Sequence, residues 1–176
     1  METKKRVLGA EHPDTMISIA NLAATYINQG RLKEAEELKV QVMETRKRVL
    51  GAEHLATLSS IANLAMTYNL QRRWKEAEEL GVQAMETRKR VLRAEHPDTL
   101  RSIGNLAATY SSQGRLKEAE ELEVQLMETR KRVLGAEHPD TLVSMGNLAW
   151  TYRRQWRRKE AKKLEMQVRE AKKRVL

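Results

Sequence analysis

Cysteine and phenylalanine are absent from this sequence, and aromatic residues make up only 4% of it. Without cysteine the chain has no disulfide scaffold, no thiolate zinc site and no cysteine nucleophile. A single core built around aromatic side chains is disfavoured, whereas an apolar content of 40% is too high for a disordered chain. The composition therefore argues against both a conventional aromatic core and disorder.

Long hydrophobic runs are missing as well. No apolar stretch approaches the roughly 18 to 20 residues that cross a bilayer. The basic residues at the start of the chain are not followed by the hydrophobic region of a signal peptide. We therefore expect a cytoplasmic protein that has no membrane partner.

The sequence contains instead a repeat of 42 residues. All four histidines and all four tyrosines recur at this interval: His12, His54, His96 and His138, and Tyr26, Tyr68, Tyr110 and Tyr152. A fixed period between 20 and 50 residues indicates stacked repeats. We expect a single domain, 1–176, that consists of a leading segment and four repeats: 1–8, 9–50, 51–92, 93–134 and 135–176.

Each repeat contains two helical segments separated by a turn. In the first repeat, His12 and Pro13 suit the N-cap and the first position of a helix that we expect to run to about Gln29. Gly30 then breaks the helix. The packing stripe of this helix has the spacing i, i+3, i+4 and i+7: Ile19, Leu22, Ala23 and Tyr26.

The second segment predicts a helix from about Arg31 to Leu50. Its acidic first turns and the basic triplet 46–48 in its last turn complement the helix dipole. We interpret the recurring basic triplets as helix-terminal charge rather than as a nuclear-localisation or nucleic-acid signal. The expected packing face is apolar: Ala35, Leu38, Val42 and Val49.

One motif spans the turn and both helices: Leu22-Ala23-x-x-Tyr26-x-x-Gln29-Gly30-Arg31-x-x-Glu34-Ala35-Glu36. Together with Gly51-Ala52-Glu53-His54, it resembles the tetratricopeptide repeat (TPR), in the 42-residue form of kinesin light chains and fungal NOD-like receptors. The resemblance covers the whole chain. It implies an all-α fold, a right-handed α-solenoid or superhelix of four helix-turn-helix repeats.

The first eight residues repeat the register of residues 43–50 and predict a leading partial helix from a preceding repeat. The chain is therefore expected to be cut from a longer array. A natural fragment, a recent gene amplification and a consensus design all agree with the similarity among the repeats.

The positions that vary most in the first helix of each repeat share one face, separate from the packing stripe. A constant packing face beside a variable face is typical of a scaffold that presents changeable contacts. The resemblance implies that the first helices line a concave groove that receives an extended peptide. The candidate groove residues are Ile17, Asn21, Ile27, Asn28, Asn63, Met66, Asn69, Leu70, Arg101, Asn105, Asn147, Trp150, Arg153 and Arg154.

One position of this face is asparagine in all four repeats, and we call it the Asn ladder: Asn21, Asn63, Asn105 and Asn147. An amide both donates and accepts hydrogen bonds, so the ladder could hold a peptide backbone whatever the ligand sequence. The alternative is structural, with each asparagine joining neighbouring helices.

Most of the net charge of +9 comes from the last repeat, which holds eleven Lys and Arg against five Asp and Glu. Several of these residues surround Trp156, and a basic cluster near tryptophan suits nucleic acid. The favoured interpretation is a polar terminal repeat that caps the array.

Catalysis and metal binding have little support in the sequence. Equivalent histidines on stacked helices lie at least about 8 to 10 Å apart, too far to share a zinc ion. No nucleophile elbow, phosphate-binding loop or dinucleotide motif is present. We expect a non-enzyme without cofactor or metal.

The predicted function is a protein interaction scaffold whose groove binds an extended peptide with acidic and apolar side chains. Arg101, Arg153 and Arg154 would bind the acidic groups, and Trp150 would be the strongest single contact. Two alternatives remain. One is self-association through uncapped repeat ends, and the other, less favoured, is nucleic-acid binding by the basic last repeat.

Overall fold

The computed structural model describes residues 7–175, without the side chain of Val175, and shows helices joined by short turns. The chain forms two compact units, Met1–Val91 and Leu92–Leu176, here called the N-terminal half and the C-terminal half. Most of the predicted partial helix 1–8 lies outside the described residues, and Val7 and Leu8 are helical. The later helices are α1 (Pro13–Asn28), α2 (Leu32–Leu50), α3 (Leu55–Leu70), α4 (Trp74–Leu92), α5 (Pro97–Ser112), α6 (Leu116–Leu134), α7 (Pro139–Arg154) and α8 (Arg158–Val175).

The first helix of every repeat begins at a histidine, as predicted. Each histidine has an extended backbone, and its Nδ1 accepts a hydrogen bond from the amide two residues later. The N–Nδ1 distance is 3.2 Å at His12 and 3.1 Å at His54, His96 and His138. The cap at His54 persists although Leu55 replaces proline there, because the histidine side chain itself supplies the acceptor.

The hairpin cores consist of aliphatic and small side chains. In the N-terminal half, Met16 and Ile19 of α1 pack with Val42 of α2. In the C-terminal half, Leu142 and Met145 of α7 pack with Ala171 of α8. The predicted packing stripe is thus confirmed at Ile19 and also at Ala23, which is fully buried.

Val49 departs from the predicted packing face of α2, because its side chain is exposed. It lies in the last turn of the helix, beside Arg48, which reaches out to Glu11 with an Nη2–Oε1 distance of 2.5 Å. Ala35 and Val42, nearer the start and middle of the same helix, are buried as expected.

An arginine closes the turn of every hairpin. Its guanidinium lies over the tyrosine ring of the first helix, 4.0 to 4.3 Å from the ring centroid, and pairs with a glutamate three residues later in the second helix. Each arginine thereby joins the two helices of its hairpin through a cation–π contact and an ion pair. The tyrosine–arginine pairs are Tyr26–Arg31, Tyr68–Arg73, Tyr110–Arg115 and Tyr152–Arg157.

Consecutive repeats within each half are joined by an arginine near the end of the second helix. Arg46 Nη1 donates to Ala56 O at 3.1 Å and to Ser60 Oγ at 2.8 Å. In the C-terminal half, Arg130 Nη1 bonds Asp140 O at 3.0 Å and Ser144 Oγ at 2.8 Å. The first member of the basic triplet is therefore a bridge to the next repeat as well as a helix-terminal charge.

Across residues 7–175, none of the helices combines the length and the apolar character needed to cross a membrane.

Candidate functional site

Large apolar side chains stand exposed on the first helices of both halves. In the N-terminal half these are Ile17 on α1 and Met66 and Leu70 on α3. In the C-terminal half Trp150 is exposed on α7. Of the remaining candidates in the N-terminal half, Asn28 is exposed, and Ile27 and Asn69 are half-buried.

The Asn ladder lies on the same helices, with Asn21, Asn63 and Asn147 exposed and Asn105 half-buried. Within residues 7–175, none of these four amide side chains has an intramolecular hydrogen-bond partner. An amide that joined neighbouring helices through its side chain would have such a partner. The structure therefore gives the four amides no hydrogen bond to a neighbouring helix within the described residues.

The three candidate arginines already have partners inside the C-terminal half. Arg101 pairs with Asp98 at 2.6 Å, and Arg153 pairs with Glu165 at 2.7 Å. Arg154 Nη1 donates to Ser111 O at 2.7 Å, and its guanidinium lies 4.9 Å from the ring centroid of Trp150. An acidic ligand would therefore have to share or displace these contacts.

A cavity of about 240 Å³ lies among α5, α6 and α7, on the face predicted to bind. The second helix of the third repeat contributes Glu123 and Leu126 to it, and Ser144 lies at the α7 side. The other lining residues lie on the first helices of the third and fourth repeats: Gly104, Ala108, Ser111, Ser112, Asn147 and Trp150. The structure thus brings two predicted site residues, Asn147 and Trp150, into one cavity.

Glu123 is the feature of this cavity that sequence reasoning missed. The residue is 6% exposed, and its Oε2 has no hydrogen-bond partner among the described residues. Burial raises the pKa of Glu123 above its usual range, the Thr151 hydroxyl opposes the shift, and the charge of Glu120 adds to it. A signal existed in the sequence, because this repeat position varies in charge: Lys39, Gly81, Glu123 and Glu165.

Lys39 occupies the equivalent position in the first repeat. Its Nζ donates to Asn63 O at 2.9 Å and to Thr67 Oγ1 at 2.8 Å, which joins α2 to α3. Burial lowers the pKa of Lys39 to about 8. At this repeat position, the side chain of Lys39 contacts the next helix in the N-terminal half, whereas the side chain of Glu123 lines a cavity in the C-terminal half.

Two further surfaces of the C-terminal half bear on the alternative functions. Trp156 is 79% exposed and borders a cavity of about 530 Å³ with Arg153, Arg158 and Lys162. A larger apolar cavity, about 690 Å³, lies between α7 and α8 and includes Leu142, Val143 and Val168. The first surface places three cations and the carboxylate of Glu165 around Trp156, and the lining of the second is mainly apolar.

Among residues 7–175, no three His, Asp or Glu side chains come close enough together to hold a metal ion.

Comparison with known proteins agrees with this architecture. The tetratricopeptide repeat family matches residues 15–90, 60–131 and 141–176. No curated protein matches the sequence.

Solved structures give close matches along nearly the whole chain. Two crystal structures of a Podosopora anserina putative kinesin light chain with nearly identical TPR-like repeats are each 34% identical to this chain. They cover 99% of it and 82% of their own length, with TM-scores of 0.84 and 0.82. BtubC (BKLC) from P. vanneervenii shares the fold, with a TM-score of 0.80 and 19% identity over 93% of this chain and 66% of its own.

These similarities, with the helices described above, show an all-α solenoid of helical repeats and support a scaffold for protein interactions. The chain belongs to the tetratricopeptide repeat family, as an array of the kinesin-light-chain type.

Proposed function

We propose that the first helices of the repeats bind an extended peptide, and that the protein acts as an interaction scaffold without catalytic activity. The observation that carries this proposal is the Asn ladder, whose four amides have no intramolecular partner within residues 7–175. Exposed amides that recur every 42 residues suit a peptide backbone, because the backbone presents both donors and acceptors whatever its sequence.

Side-chain contacts would differ between the halves. In the N-terminal half, the exposed Ile17, Met66 and Leu70 would contact apolar ligand side chains. In the C-terminal half, Arg101 and Arg153 keep about 60% of their side chains exposed, so each still offers N–H groups to an acidic ligand side chain. Trp150 would supply the largest apolar contact there.

A selection from a random peptide library tests the proposal. We expect peptides that bind the natural chain to bind an Asn63→Ala/Asn105→Ala variant about tenfold or more weakly, since two hydrogen bonds are lost. The matched control is Gln83→Ala/Gln125→Ala. These glutamines are also exposed and also recur every 42 residues, but they lie on the second helices.

Circular dichroism should show that both double variants are folded. Peptides that bind the asparagine variant as tightly as the natural chain would refute the groove proposal, and so would a selection that enriches no peptide.

Self-association is a second candidate function, and the apolar cavity between α7 and α8 is the observation that favours it. A second copy of the chain could cover Leu142, Val143 and Val168 there. Sedimentation velocity over a range of concentrations tests this candidate. A mass that stays monomeric at every concentration excludes it, and a mass that rises should fall again in a Val143→Glu variant.

A further inference from the structure

We propose that the cavity beside Glu123 is a specificity pocket that takes a lysine side chain of the bound peptide. The lysine ammonium would pair with the carboxylate of Glu123, and its aliphatic stem would lie against the apolar walls of the cavity. This inference rests on the proposed peptide-binding function and adds a defined ligand chemistry to one position of it.

The cavity has few polar groups left for a ligand. Ser144 Oγ accepts from Arg130 at 2.8 Å and donates to Asp140 O at 3.0 Å. Ser111 Oγ accepts from Arg154 at 3.1 Å. The carboxylate of Glu123, the amide of Asn147 and the hydroxyl of Ser112 are therefore the groups left to recognise a ligand, and the carboxylate is the charged one.

Among the side chains at the four equivalent positions of the repeat, Glu123 is the charged one that has no ion-pair partner within the described residues. Lys39 hydrogen-bonds Asn63 and Thr67 of the next helix. Gly81 has no side chain, and Glu165 pairs with Arg153 at 2.7 Å. Glu123 is buried and has no cation within ion-pair distance among the described residues. A buried carboxylate without a counter-ion is costly, and a ligand ammonium would remove that cost.

The shape of the cavity suits a single unbranched side chain. Its volume of about 240 Å³ is below the roughly 300 to 1,000 Å³ of small-molecule sites. Ala108, Leu126 and Trp150 give it apolar walls, which match the four-carbon stem of lysine. A compact ammonium needs only one carboxylate oxygen, whereas the flat two-pronged guanidinium of arginine pairs best with two at once.

Gly104 makes room for Leu126 at the wall of the cavity. A Cβ atom at this position would lie 3.3 Å from Leu126 Cδ2, so the leucine would have to move. In the first two repeats the equivalent residues are Ala20 and Ala62. Gly146, the equivalent in the last repeat, has open space where its Cβ would be, which makes Gly146→Ala a control for Gly104→Ala.

The most direct experiment uses two small probes, N-acetyl-lysine methylamide and N-acetyl-norleucine methylamide, which share a stem and differ in the ammonium. The chain has three tryptophans, so the indole N–H signals in a nitrogen–proton correlation spectrum report on three sites separately. We expect millimolar lysine amide to shift the Trp150 signal in a saturable way and to leave Trp74 and Trp156 unchanged.

Glu123→Gln should weaken this binding about tenfold or more, because a hydrogen bond to a charged group is replaced by one to a neutral amide. Gly104→Ala should weaken it too. Glu165→Gln and Gly146→Ala should leave it unchanged. Equal shifts from the norleucine amide, no shift of Trp150, or tighter binding of the corresponding arginine amide would each overturn the lysine pocket.

The peptide selection separates failure of this inference from failure of the proposed function. If selected peptides depend on the Asn ladder but carry no lysine that needs Glu123, peptide binding stands and the pocket is refuted. If the library yields no ligand while the lysine amide still binds beside Trp150, the pocket is supported as an ammonium site and peptide capture is refuted. A lysine enriched at one peptide position and lost in selections on Glu123→Gln would support both.

Discussion

The Lys39 ammonium lies 2.8 Å from the Thr67 hydroxyl and so connects the second helix of one repeat with the first helix of the next. Hydrogen bonds fix the ammonium in this position, but burial disfavours its charged form and lowers the pKa of Lys39 to about 8.

This relationship predicts a pH dependence of stability. Between about pH 8 and the ordinary lysine value of 10.5, the unfolded chain binds the proton that the folded chain has lost, so the Lys39 contribution to stability rises with pH. Lys39→Met should remove that rise. Urea unfolding at pH 8 and at pH 10.5 gives the free energy of unfolding of both proteins, and the difference between the unmodified chain and Lys39→Met is compared at the two pH values. A difference that does not change with pH would contradict the prediction.

Glu123 predicts an effect of opposite sign. Because burial raises its pKa in the folded state, the folded chain retains a proton that the unfolded chain loses, and the Glu123 contribution to stability falls as pH rises above about 4.5. Glu123→Gln should therefore gain stability relative to the natural chain between acidic and neutral pH. Thermal unfolding of both proteins across this range is the measurement, and parallel curves would show that the carboxyl is not desolvated.

Trp156 predicts a stabilising substitution. It has a positive φ of 64° and its side chain is largely exposed, while the equivalent residues of the first and third repeats are Gly30 and Gly114. Trp156→Gly should stabilise the protein by about 0.5 to 1 kcal/mol. The left-handed backbone costs a residue with a Cβ roughly 1 to 2 kcal/mol, and part of that gain is offset because glycine loses more conformational entropy on folding.

Gly114→Ala is the matched control for Trp156. A Cβ atom there meets nothing within 4 Å, so any loss of stability reports the backbone conformation alone. Chemical denaturation should give Trp156→Gly a higher free energy of unfolding than the unmodified chain and Gly114→Ala a lower one. A destabilised Trp156→Gly would mean that the tryptophan makes stabilising contacts.

Arg46 and Arg48 should differ strongly although both belong to the basic triplet. Arg46 bridges to the next repeat, whereas Arg48 pairs with Glu11 in an exposed position. Arg46→Ala should cost at least about 1.5 kcal/mol, because it removes two charged hydrogen bonds, one of them to the buried Ser60 hydroxyl. Arg48→Ala should cost much less, since exposed ion pairs contribute little. Equal losses in urea unfolding would show that the triplet acts only through its net charge.

Much of the fold could be predicted from local patterns. The histidine–proline steps marked the helix starts, Gly30 marked a turn, and the spacing from Ile19 to Tyr26 marked the buried face of α1. Val49 shows the limit of this reasoning, because helical periodicity assigns a residue to a face but does not say how far along the helix the neighbouring helix still covers it.

The candidate site was predicted in outline only. The Asn ladder and the apolar residues Ile17, Met66 and Trp150 could be placed on one helix face from their spacing alone. The partners of Arg101, Arg153 and Arg154 could not be predicted from spacing. Each partner depends on which acceptor the long arginine side chain reaches once the helices are packed.

The sequence by itself determined the repeat, its two helices, their caps and the face that varies, since these follow from residue order and helical periodicity. The tertiary structure decided the roles of Arg46, Lys39 and Glu123. The free energy of a charged side chain depends on its depth and on its neighbours in space, and both arise only when one helix packs against the next.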